Sequence, residues 1–324
     1  YLPKIMHNSK YANRLPIGQK EILEKFKYET LTRFYKDWYR PNLMSVIVVG
    51  DIDVAEMEKK IKEHFAAYKN PANEKARNVF EVPNHKETFI AVESDKEATD
   101  TQVQLFYKDY TAPKKIVNVG DFRSQLVEGL FATLLNNRLN ELTNSPKPPF
   151  TFGFTYYGGT YARNKKAYQS FAMMAENQQL SALKVLVTEN ERAKKYGFTS
   201  GELDRAKASF LAQIEKSYND RAKTNSDRFV GEMQSHFLEQ EPVPGIEWTF
   251  ETMKKLMPSI ILKDVNDLIK DYIKEDNRVV VFTGPEKDNL KKVTEQEVLE
   301  ALKVNEADLK PYEDKAIATS LLRK

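Results

Sequence analysis

Between residues 19 and 39 the apolar side chains Ile22, Phe26, Tyr28, Leu31, Phe34, Tyr35 and Trp38 fall mostly three or four positions apart. That period predicts an amphipathic helix, which Pro41 ends. Residues 43–49 (LMSVIVV) are β-branched and nearly all apolar, as in a strand buried on both faces, and Gly50-Asp51-Ile52-Asp53 turns the chain into a helix over 54–68. Polar residues and two prolines mark 71–83 as a linker. Beyond it the pattern predicts strands at 88–92 and 103–107. A long helix follows at 117–142, with Phe122, Leu126, Leu130, Leu134, Leu135 and Leu139 along one side. Residues 151–161 and 167–175 alternate apolar or aromatic with small residues around a turn at 163–166, which predicts a hairpin. Four helices (178–196, 200–220 behind the N-cap candidate Thr199, 226–238 and 262–274) and a Val-rich strand at 278–283 complete the chain.

One pattern occurs twice. Lys36-Asp37-Trp38-Tyr39 ahead of LMSVIVVGD aligns without a gap with Lys270-Asp271-Tyr272-Ile273 ahead of RVVVFTGP, and Gly50 and Gly284 fall in register. Each copy is a helix feeding a Val-rich strand that exits through Gly. The expected organisation is therefore the closing half of a first domain at 1–72, a linker at 73–84 and a complete second domain of the same type at 85–324. Copies of equal length would place roughly 150 further residues of the first domain before Tyr1. The expected fold class is α+β: two-layer units, each a mostly antiparallel sheet with helices on one face.

Composition narrows the chemistry. The chain has 324 residues, 41% hydrophobic and 30% charged, too many for one ordinary core and too apolar for disorder. Lys and Arg number 50 against 47 Asp and Glu, with both signs interspersed, which argues for a solvated surface rather than a nucleic-acid footprint. With no cysteine, disulfides, thiolate nucleophiles and Cys-ligated zinc are excluded. No apolar run reaches the ~20 residues that span a bilayer. The compartment is open: a periplasm or cell envelope fits, and any targeting signal is expected ahead of Tyr1.

Four histidines are present, at 7, 64, 85 and 236, none within five residues of another, so neither HExxH nor HxxEH occurs. His64 and His236 read as ordinary helix residues, and His7 and His85 as solvated loop rings. No GxSxG elbow is present, Gly158-Gly159 reads as a turn or bulge, and Asp51 and Asp53 read as turn and cap residues. No catalytic or metal-binding residue is therefore assigned. The aromatic run Phe150, Phe152, Phe154, Tyr156, Tyr157 and Tyr161 stands out, since a strand alternating its faces cannot bury all of it. Phe154, Tyr156 and Tyr157 are the candidates for lining a peptide-binding chamber.

YANRLPIG, followed by a helix ending FYKDWYRPNLMSVIVVGDID, resembles peptidase family M16, the pitrilysin and processing-peptidase group. Arg14, Pro16, Ile17, Gly18, Phe34, Tyr35, Tyr39, Pro41, Asn42, Gly50 and Asp51 occupy the positions of its pattern. VEGLFATLLNNRLNELTNSPKPPFTFGF is similar to the helix-to-strand passage of its second domain, in the extended form of bacterial members with four homologous domains. The resemblance implies a zinc metallopeptidase of repeated α/β domains around a chamber for unfolded peptides, with zinc held by HxxEH and a downstream Glu. Those residues would lie outside this chain, so the chain would carry no cofactor and only its parent would bind zinc. The implied partners are peptide or unfolded polypeptide and other M16-like domains, in cis or on a partner subunit. The family's pattern of an Arg and a Tyr on this passage has Thr143 where the Arg is expected, so the resemblance implies that this function lies in a further domain beyond Lys324, and Arg138 reads as structural.

Overall fold

The computed structural model describes residues 1–314. Its short first helix, α1 (Leu2–Ile5), leads into α2 (Lys20–Leu23), α3 (Tyr28–Trp38) and α4 (Val54–Phe65). Then come β1 (Phe89–Asp95), β2 (Thr101–Lys108), the long α5 (Val119–Thr143), and the hairpin β3 (Phe152–Gly159) and β4 (Lys166–Met174). Helices α6 (Gln179–Tyr196), α7 (Ser200–Asn219), α8 (Ser226–Glu239), α9 (Ile246–Leu256) and α10 (Leu262–Tyr272) precede β5 (Arg278–Pro285) and α11 (Glu295–Ala301).

The five strands form one sheet in the order β1-β5-β2-β4-β3. Only β1 and β5 run parallel; the other pairs are antiparallel. The core lies between one face of this sheet and the helices. Val103, Leu105 and Tyr107 of β2, Tyr168 and Ala172 of β4 and Val280 and Phe282 of β5 meet Leu130, Phe131, Leu134 and Leu135 of α5, Leu183 and Leu186 of α6, and Val265 and Ile269 of α10. The α+β class, the mostly antiparallel sheet and the one-sided helical layer agree with the sequence expectation. The capping boxes that start α5 and α7, Asn118 with Asp121 and Thr199 with Glu202, fix where those helices enter the layer. Arg138, inside α5, is buried and forks onto both oxygens of Glu202 (2.7 and 2.9 Å) between the rings of Phe198 and Tyr312, so it ties α5 to α7.

The first seventy residues behave differently. Helices α3 and α10 are related by a constant offset at both ends, since 262 − 28 and 272 − 38 both give 234. Yet Val265 and Ile269 of α10 are core residues, whereas their counterparts Leu31 and Tyr35 are 57% and 59% exposed. The buried strand expected at 43–49 is not formed. After a 3-10 turn at Pro41–Leu43 the chain is extended but unpaired, and Val46 and Val48 are 47% and 42% exposed, against 0% and 2% for Val280 and Phe282. The reason is the absence of pairing partners: β5 is a strand because β1 and β2 flank it, and nothing among the described residues flanks 43–49. The single helix expected over 19–39 is split, with Glu24, Lys25, Phe26 and Lys27 between α2 and α3. Residues 70–75 are pinned to this segment by Arg40, whose guanidinium donates to the Lys75 carbonyl (2.8 Å) and faces Glu74.

Candidate functional site

The sheet face away from the helices is only partly covered. Alternation sends Phe152, Phe154 and Tyr156 of β3 to this open face and Gly153, Thr155 and Tyr157 toward the helices. Inter-strand register then builds three rows across β2, β4 and β3: Gln102, Met173 and Phe152; Gln104, Phe171 and Phe154; Phe106, Gln169 and Tyr156. The rings of Phe154 and Phe171 lie 5.2 Å apart, and Phe154 stacks on Tyr156 at 5.8 Å. Gly153 has no room for a Cβ, which would sit 2.6 Å from Phe150. The buried Phe150 ring thereby holds β3 against the helical layer.

Of the three sequence candidates, Phe154 and Tyr156 come together on the open face and Tyr157 does not join them. The Tyr157 ring stacks on Tyr272 of α10 (4.6 Å), and its hydroxyl donates to Asp109 Oδ2 at 2.5 Å. Burial raises the Tyr157 hydroxyl far above the usual phenol range, and the Asp109 carboxylate that accepts its proton raises it further. Burial also raises Asp109, opposed by that hydrogen bond and by Lys165 and Lys166. This pair opens onto a separate cleft of about 450 Å³, lined by equal numbers of acidic and lysine side chains, at the helical side of the sheet.

The open face is bounded by the N-terminal segment. Ile5 of α1 is buried against Ala91, Phe106, Ala167, Val279 and Val281, and Lys108 Nζ donates to the Ile5 carbonyl (2.7 Å). Burial lowers Lys108 to about 7. Beside it, His85 is not the solvated loop ring expected from sequence: it is 7% exposed, stacks on Phe89 at 4.0 Å and meets the edge of His7 at 5.3 Å. Burial drops it to about 4. Between this strap and the β3–β4 turn the open face deepens into a cup of about 340 Å³, lined by Gln104, Phe154, Tyr156, Tyr161, Gln169 and Phe171 among others. Sequence reasoning did not single out Gln104, Gln169 or Phe171. The alternation in β2 and β4 carries the signal, but only the register with β3 places these side chains in one cup.

Zinc, which the family resemblance implies, finds no set of ligands in the residues present. His7 and His85 approach each other, but both Nδ1 atoms face backbone carbonyls, of Pro83 and Glu87, and no third ligand joins them. His64 sits on exposed α4 and His236 faces the Glu241 carbonyl. Among the described residues no three His, Cys, Asp or Glu converge to hold a metal.

Comparison with known proteins agrees with this architecture. Residues 25–210 match the sequence model of the family described as the peptidase M16 inactive domain. The chain is 32% identical over 263 residues to the zinc protease PQQL-like of Arabidopsis thaliana, covering 81% of this chain and 24% of the relative. It is 28% identical to the probable zinc protease PqqL of Escherichia coli K12, over 81% of this chain and 28% of the relative. It thus spans about a quarter of the length of these relatives. The crystal structure of the periplasmic protease PqqL from Escherichia coli superposes with a TM-score of 0.83 at 20% identity, over all of this chain and 36% of the other. The ferredoxin protease FusC, solved in complex with Arabidopsis ferredoxin, gives a TM-score of 0.71 at 20% identity, over 98% of this chain and 35% of that one. A match of the family's sequence model across more than half of the chain, together with the 32% identical relative, places this protein in the peptidase M16 family.

Proposed function

We propose that this chain is a non-catalytic portion of a zinc metallopeptidase, and that its open sheet face forms one wall of a chamber for peptide or unfolded polypeptide. One observation carries the reading: an aromatic-rich cup with no charged side chain in its lining, with Phe154 and Tyr156 side by side, is left open on the sheet face opposite the main core. The chemistry of hydrolysis, a zinc-activated water, would come from another domain. The named activities of the relatives support this assignment.

The same reading gives residues 1–72 the role of a closing half-domain. Their positions equivalent to the core of α10 and β5 are exposed, so they present what a further sheet would bury. Such a unit, in cis or on a partner subunit, would supply the strands that flank 43–49, as β1 and β2 flank β5. Residues 73–84 then connect this unit to the second domain.

The test is direct. The purified chain is assayed for retained zinc after mild chelation, for cleavage of an unfolded polypeptide and for binding of the same polypeptide by fluorescence anisotropy. Binding without zinc and without cleavage is the expected outcome; one tightly held equivalent of zinc with cleavage would overturn it. A second reading is a catalytically inactive M16-like subunit that presents peptide. It is favoured by the match to the family's inactive domain, and it predicts that adding the remaining domains of the parent leaves binding in place and brings no hydrolysis.

A further inference from the structure

The rows of the open face differ from the rest of the molecule in one respect. In a chain that is 30% charged, none of the nine side chains in these three rows of β2, β4 and β3 carries a charge, and Lys108, next along β2 on this face, is taken up by the Ile5 carbonyl. Nor does the lining of the cup, from Gln104 to Phe171, include an Asp, Glu, Lys, Arg or His. Its two phenols stay neutral, since burial raises Tyr156 and pushes Tyr161 up to about 12. A charged side chain entering this space would lose its hydration with no counter-charge to replace it.

The molecule itself shows what this face accepts. On the adjoining rows the N-terminal segment lays a short peptide across the sheet and inserts one aliphatic side chain, Ile5, which is buried among Ala91, Phe106, Ala167, Val279 and Val281. Its main chain is held by a polar side chain from the sheet, through the bond from Lys108 to the Ile5 carbonyl. The cup has the same parts. Phe154, Phe171 and Tyr156 supply an apolar floor. Gln104 makes no side-chain hydrogen bond among the described residues and is free to meet a main-chain amide, while Gln169 is fixed by its bond to the Gly159 carbonyl (3.2 Å). A volume of about 340 Å³ admits one large side chain.

From these observations we infer that the cup is a specificity subsite that holds a single large uncharged side chain, aromatic or branched aliphatic, of a polypeptide lying extended across the open face, with Gln104 bonding that polypeptide's main chain. The inference rests on the chamber reading and sharpens it. Phe154 and Phe171 select by contact area, and the lack of any ion in the lining selects against Lys, Arg, Asp and Glu.

The experiment uses the full chain and a blocked, fluorescein-labelled Ser/Gly host peptide with one central guest residue: Phe, Leu, Ala, Lys or Glu. Affinities are measured by fluorescence anisotropy. Phe and Leu guests are expected to bind about tenfold more tightly than Lys or Glu guests, with Ala between them. In Gln104→Glu the order of Phe and Lys should reverse, a gain that a merely misfolded variant would not show. In Phe154→Ala the Phe guest should lose about tenfold, with an unchanged thermal midpoint verifying the fold. Binding that is the same for every guest, or a Gln104→Glu variant that keeps the original order, overturns the subsite and leaves the chamber reading intact. No binding of any peptide, including a long unfolded polypeptide, removes both.

Discussion

At the scale of single residues, the buried ionic groups make the firmest statements. Replacing Arg138 by Met is milder than replacing Glu202 by Ala, because the second leaves a guanidinium buried between Phe198 and Tyr312 with no anion. Glu202→Ala should cost about 3–5 kcal/mol and Arg138→Met less, in urea unfolding followed by circular dichroism. His85 sets an acid limit. Its folded value lies near 4 against an ordinary 6.5, so below pH 6.5 the unfolded chain takes up a proton that the folded chain refuses. The stability it contributes is therefore full above pH 6.5 and lost as pH falls toward 4, on the order of 2 kcal/mol. In His85→Phe, which preserves stacking on Phe89, the slope of stability with pH across 4–6.5 should flatten. Lys108 acts in a different window, since its lowered value of about 7 makes stability rise with pH between about 7 and its ordinary 10.5. Gly153→Ala should destabilise by about 1–3 kcal/mol, because the added methyl meets the buried Phe150 ring.

The contrast between α10–β5 and its sequence counterpart, α3 with residues 43–49, is one of elements. The two share a length and an apolar pattern, yet one is core and the other is bare. A hydrophobic period states which side of an element seeks burial; whether burial happens depends on a partner. Val46→Asp or Val48→Asp should therefore change the stability of this chain by no more than about 0.5 kcal/mol, whereas the equivalent Val280→Asp should prevent folding. If Val46→Asp proved as damaging as Val280→Asp, the exposed state of this segment would be wrong. The same variants should abolish assembly with the remaining domains of the parent, read by size-exclusion chromatography. The elements most legible in the sequence were the long periodic helices, with α5, α6 and α7 expected within two residues of their observed ends. Helix α9 was missed, although Ile246, Phe250, Met253 and Leu256 fall three or four positions apart along it.

For the whole molecule, the main core is built from residues beyond 85, with Ile5 added on the other sheet face, while residues 14–70 hold few buried side chains. Limited proteolysis at low protease ratio should cut first between 14 and 72, leaving a resistant fragment that contains the sheet and α5–α11. An initial cut inside α5 or α6 would contradict this order. The sequence by itself determined the class of the fold, the strands and the longest helices beyond residue 85 and the family, because these depend on local period, capping chemistry and motif residues. It also determined that no HxxEH is present. The tertiary structure alone decided three things: that Tyr157 turns away from Phe154 and Tyr156, that His85 is buried, and that 43–49 stays unpaired. Each depends on register or on a partner distant in the chain. A one-dimensional pattern records the periodicity of side chains but not which surface lies against them.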